Sequence, residues 1–151
     1  MGWWPAPALD AFRDEGVADE ACYPYVAGDQ DCTGLCADAS SRLATIGSWQ
    51  ELDYPADMKA WIAERGPVVG TMKVYEDFYR LYAGGVYRYT AGADIGGHCI
   101  CIIGYDDRRR CWIGKNSWGT SWGESGFFEI GYGECGIDSS MWGVQGVRLP
   151  S

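Results

Sequence analysis

Histidine is almost missing from this chain of 151 residues, which has a single one at position 98. A site built from several imidazoles is therefore excluded. Basic residues are also few, 12 Lys and Arg against 21 Asp and Glu for a net charge of -9, so the electrostatic footprint of a nucleic-acid binder is absent. Anionic membrane surfaces are equally poor partners, and neither nucleic acid nor membrane is expected. No apolar run reaches the ~18 residues of a helical membrane span. The opening Met1-Gly2-Trp3-Trp4-Pro5 lacks the basic and apolar regions of a secretion signal. Internal repeats and low-complexity tracts are missing too. What is there describes a packed chain: 47% hydrophobic and 22% charged residues, with eight tryptophans and ten tyrosines. The length suits one domain or part of a larger one.

The seven cysteines are too few for a small disulfide scaffold and many for an intracellular protein, and their usage points to an oxidising compartment. Their odd number leaves at least one thiol free or paired outside the chain. Cys32-x3-Cys36 and Cys99-x-Cys101 are candidate halves of a zinc site, but with one histidine any four-ligand set is irregular, so no metal is expected.

Pro5–Glu15 carries Ala8, Leu9 and Phe12 on one face, with proline at its start and Gly16 after its end, which predicts a short helix. Gly16–Ser48, with Cys22-Tyr23-Pro24-Tyr25, Gly28, Asp29, Asp31, Gly34 and three cysteines, reads as a loop-rich excursion. Pro55 opens a second helix on which Met58, Trp61 and Ile62 recur at helical spacing, and Gly66-Pro67 stops it. Strands are then predicted over 68–74, 86–90, 98–105, 111–116, 127–131 and 142–149, with a helical turn over 76–82. Few helices follow Tyr82, so an α+β chain with a rolled or barrel-like antiparallel sheet is expected. The Arg108-Arg109-Arg110 run reads as a solvated hairpin turn.

His98 follows Ile95-Gly96-Gly97 and opens an apolar run. A hydrogen-bonded structural histidine is the plain alternative, but two glycines and a strand start suit a side chain held rigidly at a sheet end. Eighteen positions on stands Asn116, within Lys115-Asn116-Ser117-Trp118-Gly119 and ahead of Trp122-Gly123. An asparagine can fix one imidazole tautomer, and a tryptophan can shield that hydrogen bond from water. By composition alone the two are a turn residue and a core aromatic.

Gly97-His98, the Lys115–Gly119 run, Trp122-Gly123 and Gly126-Phe127 together resemble the papain family of cysteine peptidases. The likeness extends through Gly66-Pro67-Val68, Gly84-Gly85-Val86-Tyr87, Tyr23-Pro24-Tyr25 with Cys32, and Gly133-Glu134-Cys135-Gly136-Ile137. Gly2-Trp3-Trp4-Pro5 is similar to a Gly-Gly-Trp segment of that family, so the resemblance covers Gly2 to about Leu149. It implies a papain-like α+β fold, incomplete, dominated by the antiparallel β-barrel-like right domain. Residues 1–22 would be a remnant of the helical left domain and 23–151 mainly the right domain, in one incomplete peptidase domain.

The resemblance further implies peptide-bond hydrolysis by a thiolate, with His98 as general base and acid, Asn116 as its orienter, and Trp118 with Trp122 as the supporting aromatics. No cofactor is implied. Gly2, Thr71, Cys99 and Ser140 match substrate-binding positions. The family's nucleophile stands in a Cys-Gly-Ser-Cys-Trp-like motif about 130–150 residues before the histidine and asparagine. Only 97 residues precede His98 here, which places that cysteine and the oxyanion glutamine upstream of Met1. Cys99 and Cys101 point to the strand face opposite His98 and are poorly placed to substitute. Cys22, Cys32 and Cys36 stay open as substitutes. By resemblance Cys32 and Cys135 are disulfide positions, although Thr90–Gly97 holds no cysteine to partner Cys135. The expected partners are a peptide or protein substrate, together with a complementary chain bearing the nucleophile, or self-association through an exposed interdomain face. The alternatives are an inactive split or degenerate homologue that binds peptide or a protein partner, and a truncated gene product.

Overall fold

The structure is a computed structural model that describes residues 3–150. Its contacts divide the chain into two units, one formed by Met1–Trp49 with Val144–Ser151 and the other by Gln50–Gly143.

In the smaller unit, helix α1 (Pro5–Asp14) has Pro5 in its first turn, where a missing N–H costs nothing, and buries Pro5 and Leu9. The excursion that follows is not wholly irregular. Strand β1 (Val17–Ala18) pairs antiparallel with β2 (Leu43–Ala44). Between them a Cys22–Cys36 disulfide closes the loop, and the Arg42 guanidinium donates to both carboxylate oxygens of Asp19 at 2.7 and 2.8 Å. Few large apolar side chains are buried in this unit, chiefly Leu9, Cys22 and Ile46.

The larger unit contains helix α2 (Pro55–Arg65), strand β4 (Val68–Tyr75), helix α3 (Glu76–Leu81), and strands β5 (Val86–Tyr87), β6 (Asp94–Asp106), β7 (Cys111–Lys115) and β8 (Phe127–Gly131). Strands β3 (Ser48–Leu52) and β9 (Met141–Gln145) complete a seven-stranded sheet in the order β3-β9-β4-β6-β7-β8-β5. The β4–β6, β4–β9, β6–β7 and β7–β8 pairings are antiparallel, and β5 with β8 is parallel. Along β4 burial alternates through Val68, Gly70, Met72 and Val74, so one sheet face builds a core with Phe78, Ile100, Ile102, Trp112, Phe128 and Ile130. Packing is close enough that side-chain size is dictated. A Cβ on Gly114 would stand 2.4 Å from the Phe128 ring, so only glycine lets β7 and β8 approach as they do.

Within the seven-stranded sheet, four strands differ from the sequence expectation. β3 is not among the predicted strands, because Ser48-Trp49-Gln50-Glu51-Leu52 offers one buried residue, Leu52, on an edge strand. β9 stops at Gln145, short of 149, where Gly146 turns the chain with φ 67°. β5 covers two residues of the five expected, since its backbone leaves the ladder as Thr90 and Ala91 turn to Asp77. Finally, β6 begins at Asp94, so His98 lies inside the strand and not at its head. Gly96 and Gly97 pair with Val74 and Lys73 of β4, and a register shift at Val74/Tyr75 absorbs the irregular start.

Candidate active site

The strand alternation that buries Ile100 and Ile102 also turns His98 toward the core side of the sheet, directly opposite Met72 of β4. Asn116 is the residue after β7, tied down by its own N–H donating to the Gly126 carbonyl at 2.9 Å. From there its side chain reaches the imidazole: His98 Nε2 and Asn116 Oδ1 are 2.8 Å apart.

That distance alone does not say which ring nitrogen carries the proton, but the neighbouring backbone does. The Ser117 N–H also donates to Asn116 Oδ1, at 2.8 Å. A donor on that atom requires it to be the oxygen, so the amide cannot be flipped, and Nε2 of His98 must be the donor. In the neutral ring Nδ1 then holds the lone pair, and it has no hydrogen-bond partner among the described residues. The arrangement can therefore take up a proton at Nδ1 and return it while Nε2–H stays fixed.

Aromatic side chains hold the pair in place. Trp118 stacks on the imidazole with centroids 4.8 Å apart and planes at 22°. Trp118 is in turn wedged edge-on against Trp122 at 4.8 Å and Tyr79 at 5.2 Å. Trp122 packs on Phe78 of α3, and its indole N–H donates to the Tyr79 carbonyl at 3.2 Å. Helix α3 thus supports the His98 ring indirectly, through two tryptophans. Asn116 is 8% exposed, and its Nδ2 is buried without a partner among the described residues.

Three of the expected substrate-binding residues lie together. Thr71 pairs with Cys99 across β4 and β6, and the β4–β9 ladder, with Gly70 opposite Met141, brings Ser140 alongside Thr71. Gly2, the fourth, lies outside the described residues. None of the row shares the sheet face of His98, although Cys99 is its neighbour in the chain. Sequence reasoning missed Asp53, which accepts a hydrogen bond from Ser140 Oγ at 3.3 Å. It also missed Asp77, whose carboxylate gathers Tyr87 Oη at 2.7 Å, the Phe78 N–H at 2.8 Å, both donors of Thr90 and the Ala91 N–H. Neither has a motif around it; a lone aspartate beside a predicted turn is the only signal.

The cysteines offer the imidazole no partner. Cys22 and Cys36 are joined to each other, and Cys32 is free and exposed. Burial pushes the thiols of Cys99 and Cys111 up, and does the same to Cys101 against a small opposing pull from Lys115. Burial likewise takes Cys135 up to about 11. A nucleophile paired with an imidazole needs the opposite shift, toward the thiolate. Among the described residues no group of three or more His, Cys, Asp or Glu side chains converges as a metal site.

Comparison with known proteins agrees with this architecture. The model of the papain family cysteine proteases matches residues 1–144. Cathepsin B-like CP2 of Giardia intestinalis is 37% identical over 154 residues, covering 93% of this chain and 51% of that protein. Cathepsin B-like cysteine proteinase 3 of Caenorhabditis elegans is 46% identical over 166 residues, covering 93% and 44%. The solved procathepsin B S9 of Trypanosoma congolense superimposes with a TM-score of 0.82 at 27% identity, covering 98% of this chain and 54% of that one. The chain belongs to the papain family of cysteine proteases, and its fold is papain-like α+β with the sheet dominant. It spans about half the length of these relatives.

Proposed function

We propose that this chain supplies the general base and its orienting amide to a papain-like endopeptidase, while the nucleophilic thiol comes from residues outside these 151. The observation that carries the reading is the Asn116 oxygen shared by His98 Nε2 and the Ser117 N–H, which leaves Nδ1 as the proton acceptor. In the reaction the thiol gives its proton to Nδ1, and the thiolate forms a bond to the substrate carbonyl carbon. The imidazolium then protonates the leaving amine as the peptide C–N bond breaks. His98 next takes a proton from water, whose oxygen displaces the thiolate from the thioester and releases the acid. Asn116 holds the ring through both proton transfers, and Trp118 keeps water from their hydrogen bond. The raised thiols of Cys99, Cys101, Cys111 and Cys135 support an outside nucleophile.

The test is intact-mass spectrometry after treatment with a peptidyl epoxide that alkylates papain-like thiolates. The 151-residue chain alone is expected to gain no His98-dependent adduct. A protein that includes the nucleophile is expected to gain one, and to lose both the adduct and peptide hydrolysis in His98→Ala. Hydrolysis that survives His98→Ala would overturn the proposal. A His98-dependent adduct on the chain alone would show instead that one of its own cysteines serves.

A further inference from the structure

Between Tyr87, where β5 ends, and His98 the chain buries no side chain: residues 88–97 are all exposed. Such a stretch takes its path from polar contacts rather than from a core, yet it delivers the imidazole to the site. Arg88 and Tyr89 bond to Glu134. From Thr90 until the β4–β6 ladder begins at Asp94, the hydrogen bonds go to the first turn of α3. The Thr90 N–H and hydroxyl donate to Asp77 Oδ2 at 3.1 and 3.0 Å, and the Ala91 N–H donates to it at 3.3 Å. Beside them the Glu76 N–H donates to the Ala93 carbonyl at 3.1 Å, and the Ala93 N–H to Glu76 Oε2 at 3.3 Å. The fit is close, since a Cβ on Gly92 would stand 3.0 Å from Glu76 Cβ.

The same carboxylate also governs the ring on which His98 stacks. Asp77 Oδ1 accepts from the Phe78 N–H at 2.8 Å and from Tyr87 Oη at 2.7 Å, which ties α3 to β5 as well as to the 90–91 turn. Phe78, fully buried, meets Trp122 edge-on at 5.1 Å, and the Tyr79 ring meets Trp118 edge-on at 5.2 Å. Two routes therefore leave Asp77. One runs along the chain through Thr90 and Ala91 into β6 and carries His98; the other crosses the core through Phe78 and Tyr79 and carries Trp118.

We infer that Asp77 is a positioning residue for the active site: by clamping α3 to the 90–91 turn, its carboxylate sets the spacing at which Trp118 stacks on His98. Its bearing on turnover rests on the reading of His98 as general base, whereas its effect on the stack does not. A residue that only stabilised α3 would lower the melting temperature and leave the folded geometry alone; a clamp, once loosened, changes the geometry of the folded chain. Asp77→Asn loosens it in either amide orientation, because each carboxylate oxygen faces donors and one of them is replaced by an NH2 group.

The experiment is NMR of the isotope-labelled 151-residue chain at neutral pH, read at the ring protons of its single histidine, which the stacked indole displaces upfield. In Asp77→Asn those signals should move from the wild-type position toward that of Trp118→Ala, which marks the unstacked ring. Tyr87→Phe removes one donor and keeps the ring against Phe78, and should move them the same way by less. Val68→Ala, a core truncation at the end of β4 remote from α3, should lower the melting temperature and leave the His98 signals in place. In the complete peptidase Asp77→Asn should lower kcat about three- to tenfold with KM little changed. Wild-type ring signals in folded Asp77→Asn and Tyr87→Phe would overturn the assignment, and if Asp77→Asn does not fold, Tyr87→Phe decides. An equal displacement in Val68→Ala would overturn it as well, by making the effect one of general destabilisation. So would a displaced ring with kcat unchanged in an enzyme that needs His98. Failure of the catalytic reading registers elsewhere, as peptide hydrolysis that survives His98→Ala, and leaves the ring-proton shifts untouched.

Discussion

An asparagine that is 8% exposed, with its oxygen serving two donors and its amide nitrogen serving none, is a costly way to fill a buried position. An unpaired buried donor costs about 1–3 kcal/mol, and two hydrogen bonds to partly exposed groups return a comparable amount. Asn116 is therefore close to neutral for stability, and under the proposed function its value lies in setting the imidazole tautomer. Asn116→Ala should leave the melting free energy within about 1 kcal/mol of wild type while lowering kcat/KM of the complete peptidase on the order of 100-fold. Calorimetry alongside fluorogenic peptide assays checks both numbers. A loss of stability well above 2 kcal/mol with little kinetic effect would mean that the asparagine is a structural residue. Trp118→Phe tests the neighbouring contact. It keeps an aromatic against Tyr79 and Trp122 but shortens the stack on His98. A drop of about tenfold in kcat with KM little changed is expected from a loosened proton-transfer geometry.

Among the elements, α3 depends on one carboxylate more than on its own six residues, which are too few to hold a helix unaided. Asp77 receives its five donors from α3, β5 and the turn at 90–91. Burial by itself would push that carboxyl up, but the bonds from Tyr87, Thr90 and Ala91 outweigh it and hold the group at about 2. Because the folded value lies below the unfolded ~3.9, this stabilisation is fully present above about pH 4 and is lost as pH falls toward 2. Asp77→Asn should cost on the order of 1–2 kcal/mol at neutral pH, after discounting for solvent screening, and almost nothing near pH 2. Urea melts across pH 2–7 check this, and parallel stability curves for variant and wild type would refute it. Gly114→Ala acts by sterics instead. Its Cβ would meet the Phe128 ring at 2.4 Å, and prising β7 from β8 should cost about 1–3 kcal/mol at every pH. Most elements were legible because their apolar period was clear: Met58 and Trp61 on α2, or Val68, Met72 and Val74 on β4. β3 was not, since a polar edge strand needs only one buried side chain, and its pairing is decided by a neighbour some 90 residues away in sequence. The residues that meet the imidazole stood out through the tight Asn116-Ser117-Trp118 run. Asp53 and Asp77 could not, because their partners come from other strands and no local spacing marks them.

For the whole molecule, stability is unevenly sourced. The larger unit buries fifteen apolar side chains in one cluster. The smaller has few comparable residues, so it belongs with those small cores that need a covalent staple. The Cys22–Cys36 bond closes a loop with a sequence separation of 14, for which the chain-entropy account gives about 3 kcal/mol. Around it the fixed contacts are exposed and individually weak: the Arg42–Asp19 pair, and the Asp31 carboxylate that accepts from the Thr33 N–H at 2.9 Å. Reduction of that bond should therefore release amide protection across residues 19–44 while β4, β6 and β7 keep theirs. The double variant Cys22→Ala/Cys36→Ala should reproduce the effect without reductant. Cys32, free and exposed four positions before Cys36, complicates the measurement through thiol–disulfide exchange. Cys32→Ser in the same background removes that route and should leave protection in the oxidised chain unchanged. Hydrogen exchange read by mass spectrometry decides the matter. Equal protection of residues 19–44 in oxidised and reduced chain would mean that the loop is held by its hydrogen bonds, and that the staple is dispensable. Simultaneous loss in the β4–β6 core would mean instead that the disulfide underwrites the fold as a whole.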